Sequence, residues 1–415
     1  MSRIVALCFL LLAAVLGFLH IDSRPVWAPF VVPAFHQAEE AADETVTTAA
    51  KTKSPSKAIA PASQANWLPD TGAPSVHAAS LIALKDGAVR AFWFAGSREG
   101  AADVSIYSSV YDSHSASWSA PTVVMDRVGA EKGLLRYIAK LGNPVPSRLP
   151  DGRLQLFFVT VSIGGWAGSS ISVITSDDEG LTWGNPQRLI ASPLLNLSTL
   201  VKSPSISFAD GLLGLPAYHE WIGRFGEFLR VDAGRVIDKR RMSSGRSAIQ
   251  PLVFVSDSQD ASAYFRQTRS AGLPKQIPVS VTQNAGQSWQ QSKDLAIANP
   301  NSAVAGITLK NGTRILALNN IEYGRYRLVL MMSSPKSGQW QTVEVLEDDE
   351  ALLDSQRKEF SYPYMITVDG DDAHLAYTWD RKRIRHRYFS GAWLKHALSK
   401  VPAQEVEGQH QEAQQ

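Results

Sequence analysis

Short apolar runs broken by Asp-Gly and Asn-Gly pairs fill the chain from about residue 80 to residue 378. Residues 80–84 end at Asp86-Gly87 before a second run at 88–94, and the run at 154–161 follows Asp151-Gly152. The same punctuation recurs at Asp210-Gly211, Asn311-Gly312 and Asp369-Gly370, each time with an apolar run on both sides. Such dipeptides between alternating runs predict β-hairpins, because they accept the positive φ that tight hairpin turns need. Long helical periods are absent from this region, so the expected domain is built from short strands.

A second pattern sets the architecture. Residues 176–183 read S-x-D-x-G-x-T-W, an Asp-box hairpin in which Asp178 bonds nearby backbone N–H groups, Gly180 takes a positive φ and Trp183 packs under the next unit. Residues 282–289 keep each slot by conservative exchange. Residues 333–340 keep Ser and Trp with Gly338 displaced by one place, and 111–118 keep little beyond Ser and Trp. Aligning Asp232 and Gly234 with the motif puts Ile237 in the Trp slot, and Trp393 after Gly391 completes the series. The slots at 118, 183, 237, 289, 340 and 393 lie 65, 54, 52, 51 and 53 residues apart. A period of about fifty residues holding several short strands belongs to propellers rather than to helical solenoids. The predicted fold is therefore all-β, a six-bladed β-propeller over residues 66–400 preceded by an N-terminal hydrophobic helix and a disordered linker.

The ends read differently. Arg3 precedes an uncharged run, residues 4–19, bounded by His20, Asp22 and Arg24. Its length lies between a signal-peptide core and a short membrane-spanning helix, and no small-residue cleavage site follows it. Residues 1–24 are thus expected to be an uncleaved signal anchor, with a cleaved signal peptide as the alternative. Arg3 on the short side favours a cytoplasmic N-terminus. The domain is expected to be exported: anchored in the inner membrane and facing the periplasm, or periplasmic or secreted if the signal is cut. Residues 25–65 read as a flexible linker, since 39–44 and 49–57 offer no large apolar side chain to bury. Residues 401–415, rich in Gln and Glu, read as a disordered tail.

Composition narrows the function classes. With 44% apolar and 19% charged residues the 415-residue chain can form a large soluble core, and a formal charge of +2 gives no reason to expect nucleic acid as a partner. A single cysteine, Cys8, excludes an intramolecular disulfide framework. There is no Walker A loop, no G-x-G-x-x-G and no H-E-x-x-H, so neither cofactor nor metal is expected. The one strong basic cluster is 381–387, where alternation would put Arg381, Arg383, Arg385 and Arg387 on one face of an exposed closing strand, open to an anionic polysaccharide.

Six segments carry more than fold. They are His77-Ala78-Ala79-Ser80-Leu81, Phe94-Ala95-Gly96-Ser97-Arg98-Glu99-Gly100, Gly142-Asn143-Pro144-Val145, Pro216-Ala217-Tyr218-His219-Glu220, Asn299-Pro300-Asn301-Ser302 and Ser361-Tyr362-Pro363-Tyr364. Through them residues from about 70 to 395 resemble the sialidase superfamily, in its bacterial group of BNR-repeat proteins. The resemblance implies a tyrosine nucleophile tuned by a glutamate, an aspartate acid/base and three arginines clamping a substrate carboxylate. By position it makes Asp103 the acid/base, Tyr362 the nucleophile, Arg266 one clamp and Arg325 or Arg327 another. Two positions depart from the pattern: His77 stands where the first clamp arginine belongs, and Gln250, 16 residues before Arg266, stands in place of the glutamate. A glutamine cannot take a proton from tyrosine, so hydrolysis of ordinary sialosides is not expected.

His77, Arg98, Glu99, Asp103, His219, Glu220, Arg266, Arg327, Tyr362 and Arg381 all lie in segments expected at strand ends, around the mouth of the propeller. Arginines there suit the carboxylate of a uronic or nonulosonic acid. The expected function is a glycoside hydrolase of sialidase-like type acting on an acidic sugar of an envelope or extracellular polysaccharide, with the N-terminal helix as its link to the membrane. Two alternatives stand beside it. One is a polysaccharide lyase in which His77, His219 and Tyr362 move the proton beside a uronate neutralised by Arg266; the other is a propeller that binds acidic glycan without changing it.

Overall fold

The computed structural model describes residues 2–22, 26–32 and 62–400 apart from 114, 193–195, 271 and 336–337. Most of the expected linker, residues 33–61, and the expected tail, 401–415, lie outside the described residues. Six antiparallel sheets follow one another along the chain as the blades of a propeller. Their innermost strands are Ser75–Ala83, Lys140–Arg148, the broken pair Leu200–Val201 and Ile206–Ser207, Ala248–Val255, Ala305–Thr308 and Phe360–Val368, for blades 1 to 6. A small two-stranded sheet joins Gln276–Ile277 to Leu295–Ala298.

The second strands explain why much of the chain reads as continuous apolar runs. Val89–Gly96 and Leu154–Val161 are buried at every residue, because each is sandwiched between neighbouring blades and neither face meets water. The outer strand Arg235–Arg241 has no fully buried residue, only half-buried and exposed ones. Blade 6 closes the ring. Its outermost strand is Ser63–Trp67, from the N-terminal side, which pairs along Arg383–Phe389 and so covers what would otherwise be an open sheet edge. Ser63, Gln64 and Ala65, read as linker in the sequence, belong to this strand.

The Asp-box reading holds in atomic detail. Ser176 Oγ donates to Asp178 Oδ1 at 2.7 Å, Asp178 accepts Thr182 N at 2.8 Å, and Gly180, at φ 88°, donates its N–H to Ser176 Oγ at 2.8 Å. These bonds, led by that from the Thr182 hydroxyl, hold the Asp178 carboxyl down at about 2. Blade 4 repeats the turn with Asn284 for Asp178: Ser288 N donates to Asn284 Oδ1 at 2.9 Å and Gly286 N to Thr282 Oγ1 at 3.0 Å. The box tryptophans pack onto the preceding blade, not the next one. Trp183 of blade 2 meets Phe92 of blade 1 at 5.8 Å, Trp289 of blade 4 meets Phe228 of blade 3 at 5.8 Å, and Trp118 of blade 1 meets His386 of blade 6 at 5.0 Å. The sixth slot is different again, since Trp393 lies on the helix Gly391–Ser399, N-capped by Ser390, because the N-terminal strand takes the place of a hairpin there.

Residues 26–32 are not free linker. Trp27 and Phe30, 3% and 2% exposed, sit among Phe208 and Phe228 where blades 3 and 4 meet. Trp27 Nε1 donates to Asp238 at 3.0 Å, while Phe30 N donates to Ser258 O and Val31 N to Ser207 O at 2.8 and 2.9 Å. Two large aromatic side chains in seven residues supply the burial that offsets ordering this stretch of backbone. The strap lies against the turn that follows the inner strand of blade 3, on the face of the propeller that carries the Asp boxes.

The basic cluster is also spent on packing. Arg383 and Arg385 lie over the Trp67 ring at 4.6 and 4.3 Å, and Arg387 pairs with Glu344 at 2.5 Å, so the strand is an inner member of blade 6 rather than an exposed closing strand.

Candidate functional site

The mouth opposite the Asp boxes is built by one device used repeatedly. The inner strands of blades 1, 2, 4 and 6 shift register near their starts, between His77 and Ser80, Gly142 and Val145, Ile249 and Leu252, and Ser361 and Tyr364. At each break a residue other than glycine takes a left-handed backbone: Ala78 at φ 51°, Asn143 at 44°, Gln250 at 53° and Tyr362 at 53°. Asn301, just before the inner strand of blade 5, does the same at 64°. Pro144, Pro251 and Pro363 follow three of these residues and remove the N–H that would continue the ladder. Each left-handed non-glycine residue costs roughly 1–3 kcal/mol, and such strain gathers where side chains are aimed for function. Here the aimed groups are two amides, a phenol and, from Asn301, a third amide.

Arg266, at the end of the second strand of blade 4, gathers them. Its Nε donates to Asn301 Oδ1 at 2.7 Å, and one terminal nitrogen lies 3.5 Å from both Gln250 Oε1 and the Tyr362 hydroxyl. Tyr218 OH accepts bonds from Gln250 Nε2 at 3.2 Å and Asn143 Nδ2 at 3.3 Å. Burial, and next the neighbouring Tyr362, push the Tyr218 phenol well above its ordinary range, so it stays neutral. Among the described residues Arg266 makes no salt bridge, and the side chains it hydrogen-bonds, Asn301, Gln250 and Tyr362, are amides and a phenol.

Arg325, Arg327 and Arg381, by contrast, are compensated. Arg325 Nη1 pairs with Glu359 at 3.0 Å, and Arg381 bridges Glu359 at 2.9 Å and Glu99 at 2.6 Å. Burial would raise Glu359, but bonds from Arg381 and Ser361 and the charge of Arg325 hold it at about 2. Arg325 also donates to Asn301 O at 3.1 Å, which puts it beside the Arg266 cluster, whereas Arg327 points to Glu350 at 2.9 Å and Asp348 at 3.6 Å. Of the two arginines left open by the sequence, Arg325 is the one at the mouth.

His77 is 1% exposed, and neither ring nitrogen has a hydrogen-bond partner among the described residues. Its ring lies 4.4 Å from that of Tyr362. Burial lowers its pKa to about 4 and keeps the imidazole neutral. Asp103 stands exposed on the rim near Arg98, accepting the Ser97 hydroxyl and N–H, each at 2.9 Å, and these bonds lower its pKa. Glu220 differs: burial raises its pKa against the opposing pull of Arg266 and Arg224. His219 turns away from this cluster to Glu227 at 2.6 Å, a carboxylate that Lys239 also holds. Among the described residues no group of three or more His, Cys, Asp or Glu is placed to hold a metal ion.

Asn143, Tyr218, Asn301 and Glu359 belong to the site although sequence reasoning did not assign them roles. So does Lys202, buried at the break in the blade 3 inner strand, whose Nζ donates to the Pro363 carbonyl directly behind Tyr362; burial lowers its pKa to about 7. A signal for part of this set was present: the polar-or-aromatic residue followed by proline in Asn143-Pro144, Gln250-Pro251 and Tyr362-Pro363, at intervals of about two blades.

Residues 87–375, well over half the chain, match the BNR repeat-like domain family. The chain belongs to that family. Among solved structures, this BNR-repeat propeller is similar to a protein of unknown function from Dyadobacter fermentans, at 12% identity and a TM-score of 0.63, over 79% of this chain and 97% of that one. It is similar to the NanB sialidase of Streptococcus pneumoniae at 12% identity and 0.60, over 78% and 70%, and to the Penicillium chrysogenum α-L-arabinanase at 16% and 0.55, over 80% and 99%. At these identities the likeness is one of fold. No curated protein matches the sequence.

Proposed function

We propose that this BNR-repeat propeller binds an acidic sugar unit of a polysaccharide through its carboxylate and cleaves the glycosidic bond beside it. The observation that carries the reading is Arg266: a guanidinium without a salt bridge among the described residues, set in a ring of neutral donors and acceptors on strained backbone. A half-buried guanidinium without a salt bridge favours a planar carboxylate, which it can hold with two parallel bonds. Tyr362 shares that guanidinium, its hydroxyl 3.5 Å from the terminal nitrogen, and is the proposed nucleophile. As proton carrier Glu220 takes the place of Asp103, to which the resemblance gives that role: Glu220 is half-buried in the cleft beside this site and burial raises its pKa, whereas Asp103 is exposed and its bonds from Ser97 lower its pKa.

Gln250 gives Tyr362 no carboxylate, so an α-linked sialoside with a chromogenic leaving group is expected to show little or no turnover; efficient release of the chromophore would refute this. Binding tests the reading more directly. Removing one charge-assisted contact costs about 1.5–3 kcal/mol, so Arg266→Ala is expected to weaken an acidic oligosaccharide by roughly ten- to more than a hundredfold in calorimetric titration. Equal affinity in wild type and variant would sink the proposal. Where the wild type turns a glycan over, Glu220→Gln leaves affinity near wild type and removes turnover.

A lyase reading has its own support in His77. A neutral imidazole with both nitrogens unpartnered among the described residues packs on the Tyr362 ring and has a lone pair free to accept a proton there. A product absorbing in the near ultraviolet would favour the lyase, and binding without any product the non-catalytic alternative. Export through residues 1–24 is part of the same proposal. It is supported by the uncharged run and by the exposure of Ile4, Phe9, Leu10 and Leu16 along the first helix, although no helix among the described residues is long and apolar enough to cross a membrane.

A further inference from the structure

Two clefts flank the Arg266 cluster, and their charges differ. One, of about 550 Å³, is lined by Arg325, Arg357 and Lys358, and each of these cations has its own acid: Glu359 at 3.0 Å, Asp354 at 2.6 Å and Asp349 at 3.7 Å. The other, of about 460 Å³, lies between the turn after His219 in blade 3 and the mouth-side loops of blade 4. Glu220, Trp221 and three arginines line it; Arg269 pairs with Asp294 at 2.5 Å, while Arg224 and Arg246 make no salt bridge among the described residues. The Arg246 stem lies close against Gly223, where a Cβ would come within 3.1 Å of it, so this arginine is held at the tip of the turn. Trp221 is 51% exposed, an indole that the fold does not use for its core. Glu220 itself lines this cleft and lies within reach of the charges of both Arg266 and Arg224, so the cleft adjoins the proposed carboxylate site on the side of its proton carrier.

We infer that this second cleft is a subsite for a neighbouring acidic unit of the same polymer, with Trp221 stacking on the sugar ring and Arg224 and Arg246 meeting its carboxylate. The inference rests on the acidic-glycan reading of Arg266 and deepens it: the substrate is a chain of acidic units rather than a lone terminal sugar. A free cation pair beside an exposed aromatic platform fits a ring with an apolar face and an anionic edge. The paired cations of the opposite cleft would first have to give up their own carboxylates.

The test uses the full chain and three acidic series, each as a monomer and a tetramer: sialic acid, galacturonic acid and, as alternating units, hyaluronan. In titration calorimetry the tetramer of the series that binds is expected to have at least tenfold higher affinity than its monomer. Trp221→Ala and the double variant Arg224→Ala/Arg246→Ala are expected to abolish that gain while leaving monomer affinity unchanged, which also shows that the variants are folded. A tetramer that binds no tighter than its monomer, or variants that keep the gain, overturns the subsite and leaves the Arg266 reading standing. Failure of every monomer and tetramer to bind the wild type overturns both.

Discussion

Acidification from pH 7 toward pH 4 is expected to unfold this propeller before the carboxylates held at about 2 titrate. His77, His374 and His386 are all buried and all have lowered pKa values, chiefly through desolvation: His77 and His374 to about 4, and His386 well below its ordinary value. In the unfolded chain each takes its proton near 6.5, so between about 6.5 and 4 the unfolded state binds more protons and stability falls with falling pH. The stability from each group is fully present above 6.5. For His77 a shift from 6.5 to about 4 corresponds to roughly 3 kcal/mol. The other two act in the same direction at the closing joint. His374 Nδ1 and His386 Nε2 lie 3.0 Å apart, stacked beside Tyr111 and Trp118 of blade 1 and Tyr388 of blade 6. The charges that face them are Asp372, which favours protonation of His374, and Arg387, which opposes that of His386. His386 is opposite Asn66 of the closing strand, so charge forced into this pair loosens the ring at its seam. Denaturant midpoints at pH 7.5, 6.5, 5.5 and 4.5 check this: a flat response above pH 7 and a steep fall below 6 is expected, and a midpoint unchanged between pH 7 and 5 would contradict it. The carboxylates held at about 2, Glu179, Asp178 and Glu359, add to acid lability only below about pH 4.5.

Trp27→Ala is expected to destabilise the propeller by about 3–5 kcal/mol, the usual cost of truncating a buried aromatic side chain. The side chain is 3% exposed, packs at 5.6 Å from Phe208 and 5.9 Å from Phe228, bonds Asp238 and lies under the Arg240 guanidinium at 5.2 Å. Its loss opens a cavity at the joint of blades 3 and 4 and leaves Asp238 with one donor fewer. Truncation separates this role from that of the N-terminal helix. A chain lacking residues 1–24 keeps the strap and is expected to melt as the full-length protein does, while a chain lacking residues 1–32 melts several degrees lower and exposes an aromatic patch that binds hydrophobic dyes. Equal melting temperatures for the two truncations would remove the strap from the structural account.

Much of the fold was legible in the chain because a propeller repeats one local solution. Asp-Gly and Asn-Gly turns, a near-constant period and the S-x-D-x-G-x-T-W box each report on backbone conformation within a few residues, and local conformation is what sequence patterns encode most directly. The box at residues 176–183 and its copy at 282–289 therefore appear in the structure with the same hydrogen bonds. Arg266, Tyr362 and Gln250, singled out through resemblance, come together in the structure because their spacing follows the blades.

What depends on contacts between distant residues was decided only by the tertiary structure. Nothing near Trp27 says that it meets Phe208, and nothing near Ser63 says that it pairs with Phe389 across more than three hundred residues. Trp393 looked like a sixth box until that N-terminal strand took the outer place in blade 6. The compensation of each arginine is decided in the same way: Arg266, Arg325 and Arg381 are alike as letters, but Glu359 and Glu99 pair with two of them and leave the third with neutral hydrogen-bond partners. A side chain's chemistry is written in the sequence; its desolvation and its counter-charge come from residues that the fold brings to it, and these determine whether it is structural or free to bind.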